Sequence, residues 1–287
     1  MRPSLVLLAA VVVVALTASA APGLAGTPTM VAWAPGFPGS TKEAQPTMDA
    51  LAGAVAASAK LPPDGFAAVY QETEKGGLAR LSQPDAALAM VSLPAFLKYE
   101  KELGLVPRLA VVQAGAPDAS ETWSLVAGAG KLKGAADLAG WQLVSGASYA
   151  PRFVRGPALG GWGVLPANVT LAPAGAVLSA LRRAAAGEKV ALLLDRAQAA
   201  SLATLPFAKD LETVARSAPL PGALLCTVRG RLPDAQAAAL VQAFAGLAAR
   251  PEAAAALAGV RIARFVPLDE AALKRARAAY DAVKDAP

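Results

Sequence analysis

The chain has 287 residues, with 27 basic and 21 acidic side chains, a formal net charge of +6 and no histidine. Without His, Ser-His-Asp and Cys-His catalysis, His-ligated metals and the usual neutral-pH general base are excluded. With one Cys, an intrachain disulfide is excluded and a zinc, copper or iron site is not expected. Basic residues are spread along the chain and aromatics make up 5%, so no nucleic-acid-binding surface is predicted. The composition predicts no cofactor and favours a binding protein over an enzyme.

Residues 1–20 have the three parts of a secretory signal in the right order. Arg2 is the positive charge, residues 5–16 form an apolar run, and Ala18-Ser19-Ala20 gives the small-x-small cleavage pattern. An apolar run of about a dozen residues is shorter than the roughly 20 that span a bilayer. We therefore expect cleavage after Ala20 and a periplasmic protein, with an uncleaved membrane anchor as the alternative.

Strands and helices are predicted to alternate through the first half of the mature chain. The predicted strands are Met30–Trp33, Phe66–Tyr70, Asp85–Val91 and Leu109–Val112. A helix to about Lys60 begins behind Ser40 or Thr41, with Glu43 completing a capping arrangement. A short helix near Glu72 and another over residues 93–103 separate the later strands. This alternation implies parallel strands with helices on both faces of a sheet.

The same alternation restarts after residue 120. Extended segments are predicted at residues 121–126, 137–144, 169–171, 190–194 and 220–228. Helices are predicted from Pro151, over 174–186 and over 196–202, while the Gly- and Pro-rich residues 156–166 are predicted to be a loop. From Asp234 onward the pattern is helical, over 235–249, 251–258 and 269–284. The last helix is predicted to pack Leu273, Ala276 and Tyr280 onto the first lobe.

Several segments, in this order and spacing, carry a family resemblance. They are the end of a strand and the loop after it at residues 85–92, the segments that lead the chain into the second lobe at 123–126, 132 and 136–144, and a small polar loop at 145–149. A strand at 191–195 and the segment that returns the chain to the first lobe at 219–223 complete the set. Together they resemble the type II periplasmic substrate-binding fold, in the branch of phosphate- and phosphonate-binding components of ABC transporters.

The resemblance implies a two-lobed α/β fold, in which each lobe is a mostly parallel sheet flanked by helices and two hinge crossovers join the lobes. Lobe one would comprise residues 28–118 and 224–287, and lobe two residues 119–223. The implied function is capture of a small anionic, phosphate- or phosphonate-like solute between the lobes of a monomer, for a membrane permease. The alternatives are an envelope accessory or scaffold protein that keeps the fold, and, as a third reading, an envelope enzyme.

Ligands of open parallel sheets bind beyond the carboxyl ends of the strands, where helix N-termini present unpaired N–H groups to anions. On this basis nine residues are predicted to contact the ligand: Tyr70, Thr73, Ser92, Thr122, Trp123, Ser148, Tyr149, Arg152 and Asp195. Six of them have a structural alternative. Ser92, Ser148 and Asp195 would serve only as helix caps, Tyr70 and Trp123 would only pack, and Arg152 would be solvated or ion-paired.

Overall fold

The computed structural model describes residues 26–35 and 39–284, and strands alternate with helices over most of this length. The predicted signal at residues 1–20 lies outside the described residues. The strands are Thr29–Trp33 (β1), Ala67–Gln71 (β2), Ala86–Ser92 (β3), Leu105–Gln113 (β4), Ser120–Glu121 (β5), Ser124–Gly128 (β6), Gln142–Ser145 (β7), Thr170–Pro173 (β8), Val190–Leu194 (β9), Leu211–Arg216 (β10), Leu220–Pro221 (β11), Ala223–Val228 (β12) and Ile262–Val266 (β13). The helices are Thr41–Ser58 (α1), Glu74–Leu81 (α2), Leu93–Tyr99 (α3), Pro151–Phe153 (α4), Val177–Ala185 (α5), Arg196–Ala200 (α6), Asp234–Gly246 (α7), Ala254–Gly259 (α8) and Glu270–Asp281 (α9). Within the described residues, none of the helices combines the length and the apolar character needed to cross a membrane.

Two large sheets define two lobes. The sheet of lobe one has the order β13-β4-β12-β3-β1-β2, and the sheet of lobe two has the order β10-β6-β9-β7-β8. The short strands β5 and β11 pair antiparallel, with Leu220 opposite Glu121, where the chain crosses between the lobes. The predicted two-lobed α/β fold with two hinge crossovers is therefore confirmed.

Both sheets are mixed rather than mostly parallel. The parallel part is β2-β1-β3 in lobe one and β8-β7-β9 in lobe two. The first strand after each crossover, β6 in lobe two and β12 in lobe one, runs antiparallel to its neighbours because the chain enters that sheet from the hinge. The parallel strands still bring their carboxyl ends to the side of each sheet that faces the other lobe.

The start of α1 follows the predicted capping pattern. The Glu43 amide donates to Ser40 Oγ at 3.3 Å, and the Ser40 amide donates to the Glu43 carboxylate at 3.0 Å. The helix buries Leu51 and Val55 against the sheet of lobe one, since these positions lie one turn apart on the same face. The reciprocal cap therefore fixes α1 at the point where β1 leads towards the cleft.

The sequence pattern does not predict β10 or β13. Residues 262–266 lie in a stretch predicted to be helical, yet Ile262 and Phe265 pair with Gln113 and Val111 of β4. Both missed strands lie at the outer edge of a sheet, where one neighbour supplies the backbone partners and only some side chains are buried. Such strands leave a weak alternation in the sequence, and their Ala-rich flanks favour a helix prediction.

The predicted loop at residues 156–166 begins as a π-helix, Val154–Ala158, that continues α4. The Leu159 amide donates to the Val154 carbonyl, five residues back, at 3.1 Å. Pro157 accounts for the wide turn, because it has no N–H to donate and its ring clashes with the carbonyl four residues earlier.

Helix α9 does not pack onto lobe one as predicted. It lies mainly against α4 and the π-helix of lobe two, although β13, which precedes it, belongs to lobe one. Leu273, Ala276 and Tyr280 are buried there, as the apolar spacing predicts, but in a cluster to which both lobes contribute. The sequence pattern identifies the buried face of α9 but not the surface that covers it.

Candidate functional site

The carboxyl ends of β3 and β7 meet across the boundary between the lobes. Ser92 ends β3 in lobe one, and Tyr149 lies in the turn after β7 in lobe two. Ser92 Oγ and Tyr149 Oη lie 3.1 Å apart and share a hydrogen bond. Two of the nine predicted ligand contacts are therefore brought together at the place where the fold predicts a ligand.

Ser92 does not act as the cap of α3, which was the alternative interpretation. Within the described residues, its side chain takes no hydrogen bond from the first turn of that helix. The Leu93 amide donates instead to the Gly222 carbonyl at 2.9 Å, next to the second hinge crossover. The Ser92 hydroxyl is thus directed across the cleft towards lobe two.

A lysine on α3 completes the contact between the lobes. Lys98 Nζ lies 2.6 Å from Glu74 Oε1 and 2.5 Å from the carbonyl oxygen of Tyr149. The Tyr99 hydroxyl also donates to Glu74, and its ring packs 5.2 Å from the Trp33 ring. The sequence analysis missed Lys98 and Glu74, although a lone lysine on the otherwise apolar α3 was a signal that could have identified them.

We refer to Ser92, Lys98, Tyr149 and Glu74 as the cleft cluster. Burial raises the pKa of the Tyr149 phenol, while its hydrogen bond to Ser92 opposes the shift. Burial and the hydrogen bond to Glu74 also raise the pKa of Tyr99. Both phenols therefore stay protonated at neutral pH and can donate hydrogen bonds, as an oxyanion ligand requires.

Thr73 contributes to the frame of this cluster, whereas Tyr70 packs elsewhere in lobe one. Thr73 caps α2, accepting the Gly76 amide at 3.0 Å, and its carbonyl accepts the Trp33 indole N–H at 3.0 Å. Tyr70 packs with α1 on the opposite face of the sheet from Trp33. Its buried hydroxyl has no hydrogen-bond partner among the described residues, and burial, followed by the nearby Glu72, raises its pKa.

Two of the helix N-termini, the kind of site that was expected to hold the anion, are already occupied. At α1 the Glu72 carboxylate accepts the Thr41 amide at 3.2 Å and the Thr41 hydroxyl at 2.6 Å. At α6 Asp195 accepts the Gln198 amide at 2.8 Å, which confirms its alternative role as a cap. Burial raises the pKa of Asp195. Internal carboxylates therefore take the places where a ligand anion was expected.

Ser148 and Arg152 lie after β7, where no long helix begins, because α4 has three residues and passes into the π-helix. The Ser148 amide donates to the Ser145 carbonyl at 3.2 Å, and in the described structure no side chain caps α4. Arg152 is directed away from the cleft cluster: it donates to the Tyr280 carbonyl at 3.2 Å and lies 4.5 Å from the centre of the Tyr280 ring.

Thr122 and Trp123 lie on the first crossover. The Thr122 amide donates to the Glu121 carboxylate at 2.8 Å, and burial raises the pKa of Glu121. The Trp123 amide donates to Ser217 Oγ at 3.0 Å on the second crossover, and its ring packs edge-on against Phe153 at 5.3 Å. Trp123 therefore ties the two hinge connections together and packs into lobe two.

A space of about 210 Å³ between the lobes opens beside the hinge. The end of β4, the hinge and α6 line it, with Asp118, Glu121 and Arg196 as its charged side chains near the cap Asp195. The Arg196 amide donates to the Glu121 carboxylate at 2.8 Å, and the Arg196 guanidinium donates to Ser120 Oγ at 3.0 Å and lies 3.7 Å from the Asp118 carboxylate, so these charged groups are engaged within the protein.

Comparison with known proteins adds a family match over part of the chain. Residues 171–273, a little over a third of the sequence, match the model of the family described as the periplasmic substrate-binding protein of a phosphonate ABC transporter. No curated protein sequence matches the chain.

Solved structures are similar over nearly the whole chain. A Xanthomonas citri protein bound to ATP superposes with a TM-score of 0.70 at 16% identity, covering 91% of this chain and 99% of its own. A binding protein component of an ABC phosphonate transporter from Pseudomonas aeruginosa gives 0.59 at 16% identity, covering 86% and 83%. PhnD1 from Prochlorococcus marinus, in complex with methylphosphonate, gives 0.57 at 11% identity, covering 86% and 95%. The chain therefore has the two-lobed fold of periplasmic binding proteins, and its resemblance to their phosphonate-binding branch is confirmed.

Proposed function

We propose that this protein is an extracytoplasmic solute-binding protein that holds a small anionic, phosphate- or phosphonate-like solute between its lobes and delivers it to an ABC-type permease. The observation that supports this most is the cleft cluster, in which Ser92 and Lys98 of lobe one meet Tyr149 of lobe two. The family match over residues 171–273 and the methylphosphonate complex of a similar fold point the same way.

The cleft cluster has the donors that a tetrahedral oxyanion needs. The Ser92 and Tyr149 hydroxyls each carry one donor, and the Lys98 ammonium carries three. Internal carboxylates or hydroxyls occupy the starts of α1, α2 and α6, and Lys98 is the cationic side chain of the cleft cluster. Glu74 holds that ammonium in place at 2.6 Å.

Binding would begin with separation of the lobes, because the donors of the cleft cluster are paired with each other in the closed arrangement. An incoming oxyanion replaces the contacts of Tyr149 with Ser92 and Lys98, and the lobes then close over it. The ligand thus favours the closed state only by as much as its contacts exceed those that it replaces.

A thermal-shift screen of the mature chain, residues 21–287, tests this proposal. The probes are phosphate, methylphosphonate, sulfate, small carboxylates and amino acids. A ligand at 100 times its Kd adds about 2.7 kcal/mol of stability, which is a shift of several degrees. Lys98→Gln should abolish the response, whereas Lys101→Gln, which changes an exposed lysine just after α3, should retain it.

The second candidate is an envelope accessory or scaffold protein that keeps the fold without carrying a solute. Two observations favour it. The side chains of the cleft cluster are hydrogen-bonded to each other, and carboxylates of the protein occupy the starts of α1 and α6. A well-folded wild type that responds to none of the probes, with Lys98→Gln indistinguishable from it, would establish this reading in place of the first.

A further inference from the structure

Helix α9 follows lobe one in the chain but belongs to lobe two in its packing. Its most extensive contacts are with α4, the π-helix and β11, and it follows β13 through the linker Pro267-Leu268-Asp269. A space of about 290 Å³, lined by Pro219, Pro267 and Leu268 among others, lies between this linker and the hinge strands. The linker therefore has room beside the axis about which the lobes would rotate.

The contact between α9 and lobe two is close and varied. A Cβ placed on Gly156 would lie 2.3 Å from the Ala279 carbonyl oxygen, so only glycine lets the π-helix approach α9 this closely. Arg152 lies over the Tyr280 ring, donates to the Tyr280 carbonyl and lies 3.7 Å from the Asp281 carboxylate. These contacts anchor α9 to lobe two as one body.

The tie between α9 and lobe one is an ion pair. Nε and Nη2 of Arg277 both donate to Glu100 Oε2, at 3.0 and 2.8 Å, and the guanidinium lies 5.2 Å from the Phe96 ring centre. Glu100 is the C-terminal cap residue of α3, the helix that carries Lys98. Its side chain is 16% exposed, which shields the pair from much of the solvent.

We propose that α9 moves with lobe two when the lobes separate, and that the Arg277–Glu100 ion pair stabilises the closed arrangement of the lobes. This ion pair lies outside the cleft cluster, so it can act without a ligand. It determines the fraction of the ligand-free protein that is open. The proposal deepens the proposed function by naming what regulates access to that site. Its test uses no ligand, so its failure is separate from a flat response in the solute screen.

Single-molecule energy transfer between the lobes measures the open fraction of the ligand-free mature chain. Labels at Lys75→Cys in lobe one and Ala176→Cys in lobe two lie on exposed positions, and the native Cys226 is buried from the dyes. Arg277→Gln and Glu100→Gln should each raise the open fraction about three- to fivefold, as expected for a partly shielded ion pair. The double variant should match either single variant, and Lys274→Gln, an exposed change on the same helix, should match the wild type.

Gly156→Ala tests the contact between α9 and lobe two. The added methyl forces α9 away from lobe two, so the open fraction should rise, and Arg277→Gln should then add nothing further. If Gly156→Ala fails to fold, the double-mutant cycle of Arg277→Gln and Glu100→Gln tests the proposal by itself. The proposal is overturned if Arg277→Gln lowers the melting temperature without changing the open fraction, if its effect multiplies with that of Glu100→Gln, or if no open population appears in any variant.

Discussion

The two lobes contribute different chemistry to the boundary between them. In lobe one, α1, α2 and α3 follow β1, β2 and β3, and these helices and their flanking loops carry charged groups such as Glu72, Glu74 and Lys98. In lobe two, β7 leads into a tight turn, three residues of α4 and a π-helix. That turn supplies a neutral hydroxyl and a carbonyl, both from Tyr149.

The two sides of the cleft therefore differ in chemistry, with charged groups in lobe one and neutral oxygen atoms in lobe two. Lobe one provides the charge and has already neutralised most of it with internal partners. Lobe two provides oxygen atoms whose position depends on apolar packing, since the buried Phe153 lies in α4, which follows the Tyr149 turn. Changes in packing should therefore dominate in lobe two, and changes in charge should have smaller, pH-dependent effects.

The largest effect is expected from Phe153→Ala. Phe153 is fully buried and packs edge-on against Trp123, so its removal leaves a cavity between the hinge and lobe two. We expect a loss of about 3 to 5 kcal/mol in the free energy of unfolding, measured by urea denaturation.

The matched control is Phe207→Ala, which removes the same atoms from a half-buried position in lobe two. Its loss should be clearly smaller, because a half-buried site can collapse or admit water. Equal losses for the two variants would contradict the view that packing at the hinge positions the Tyr149 turn.

Much of this organisation could be predicted from the sequence. The cap at Ser40, the apolar strands and the two crossovers depend on contacts between residues that are near in sequence or on strongly patterned segments. The edge strand β13 and the position of α9 depend on which surface is left uncovered once both lobes have formed. Local patterns do not carry that information.

The candidate site divides in the same way. Position after a strand singled out Ser92 and Tyr149, which the structure brings together, but it also placed Arg152 in the cleft although its guanidinium is directed to α9. Lys98 was missed because it lies a turn and a half into α3, and strand-end reasoning considers only the first residues of a helix. Whether the nine predicted contacts bind a ligand stays a prediction.

An intermediate effect is expected from Tyr149→Phe. The change removes the hydroxyl that bonds Ser92 across the lobes and leaves the ring in place. Because Ser92 then loses its partner in a partly buried position, we expect a loss of about 1 to 2 kcal/mol in the free energy of unfolding.

The matched cycle adds Ser92→Ala and the double variant. If the two hydroxyls stabilise the protein through each other, the double variant should cost little more than either single variant, measured by urea denaturation. Additive losses would mean that each hydroxyl acts separately and that the lobes are not joined by this bond.

The smallest effects, and the most direct test of the contrast between the lobes, come from one chemical change made in each lobe. Asp85 in lobe one accepts two hydrogen bonds from Arg80, at 2.9 and 2.6 Å, and these lower its pKa from the ordinary value of 3.8. Asp195 in lobe two caps α6, but burial raises its pKa above 3.8. Asp85→Asn should cost about 0.5 to 1 kcal/mol at pH 7, whereas Asp195→Asn, which keeps a capping oxygen, should change stability by less than about 0.5 kcal/mol.

The pH dependence of the two variants should have opposite signs. The advantage of wild type over Asp85→Asn is fully present above pH 3.8 and disappears as the pH falls through the lowered folded pKa. For Asp195 the folded state binds its proton more tightly, so the advantage of wild type is greatest at low pH and is lost as the pH rises above 3.8 through the raised pKa. Urea denaturation of the three proteins between pH 3 and pH 7 measures both slopes. Slopes of the same sign would mean either that the capping hydrogen bonds outweigh burial at Asp195, or that burial outweighs the pairing with Arg80 at Asp85.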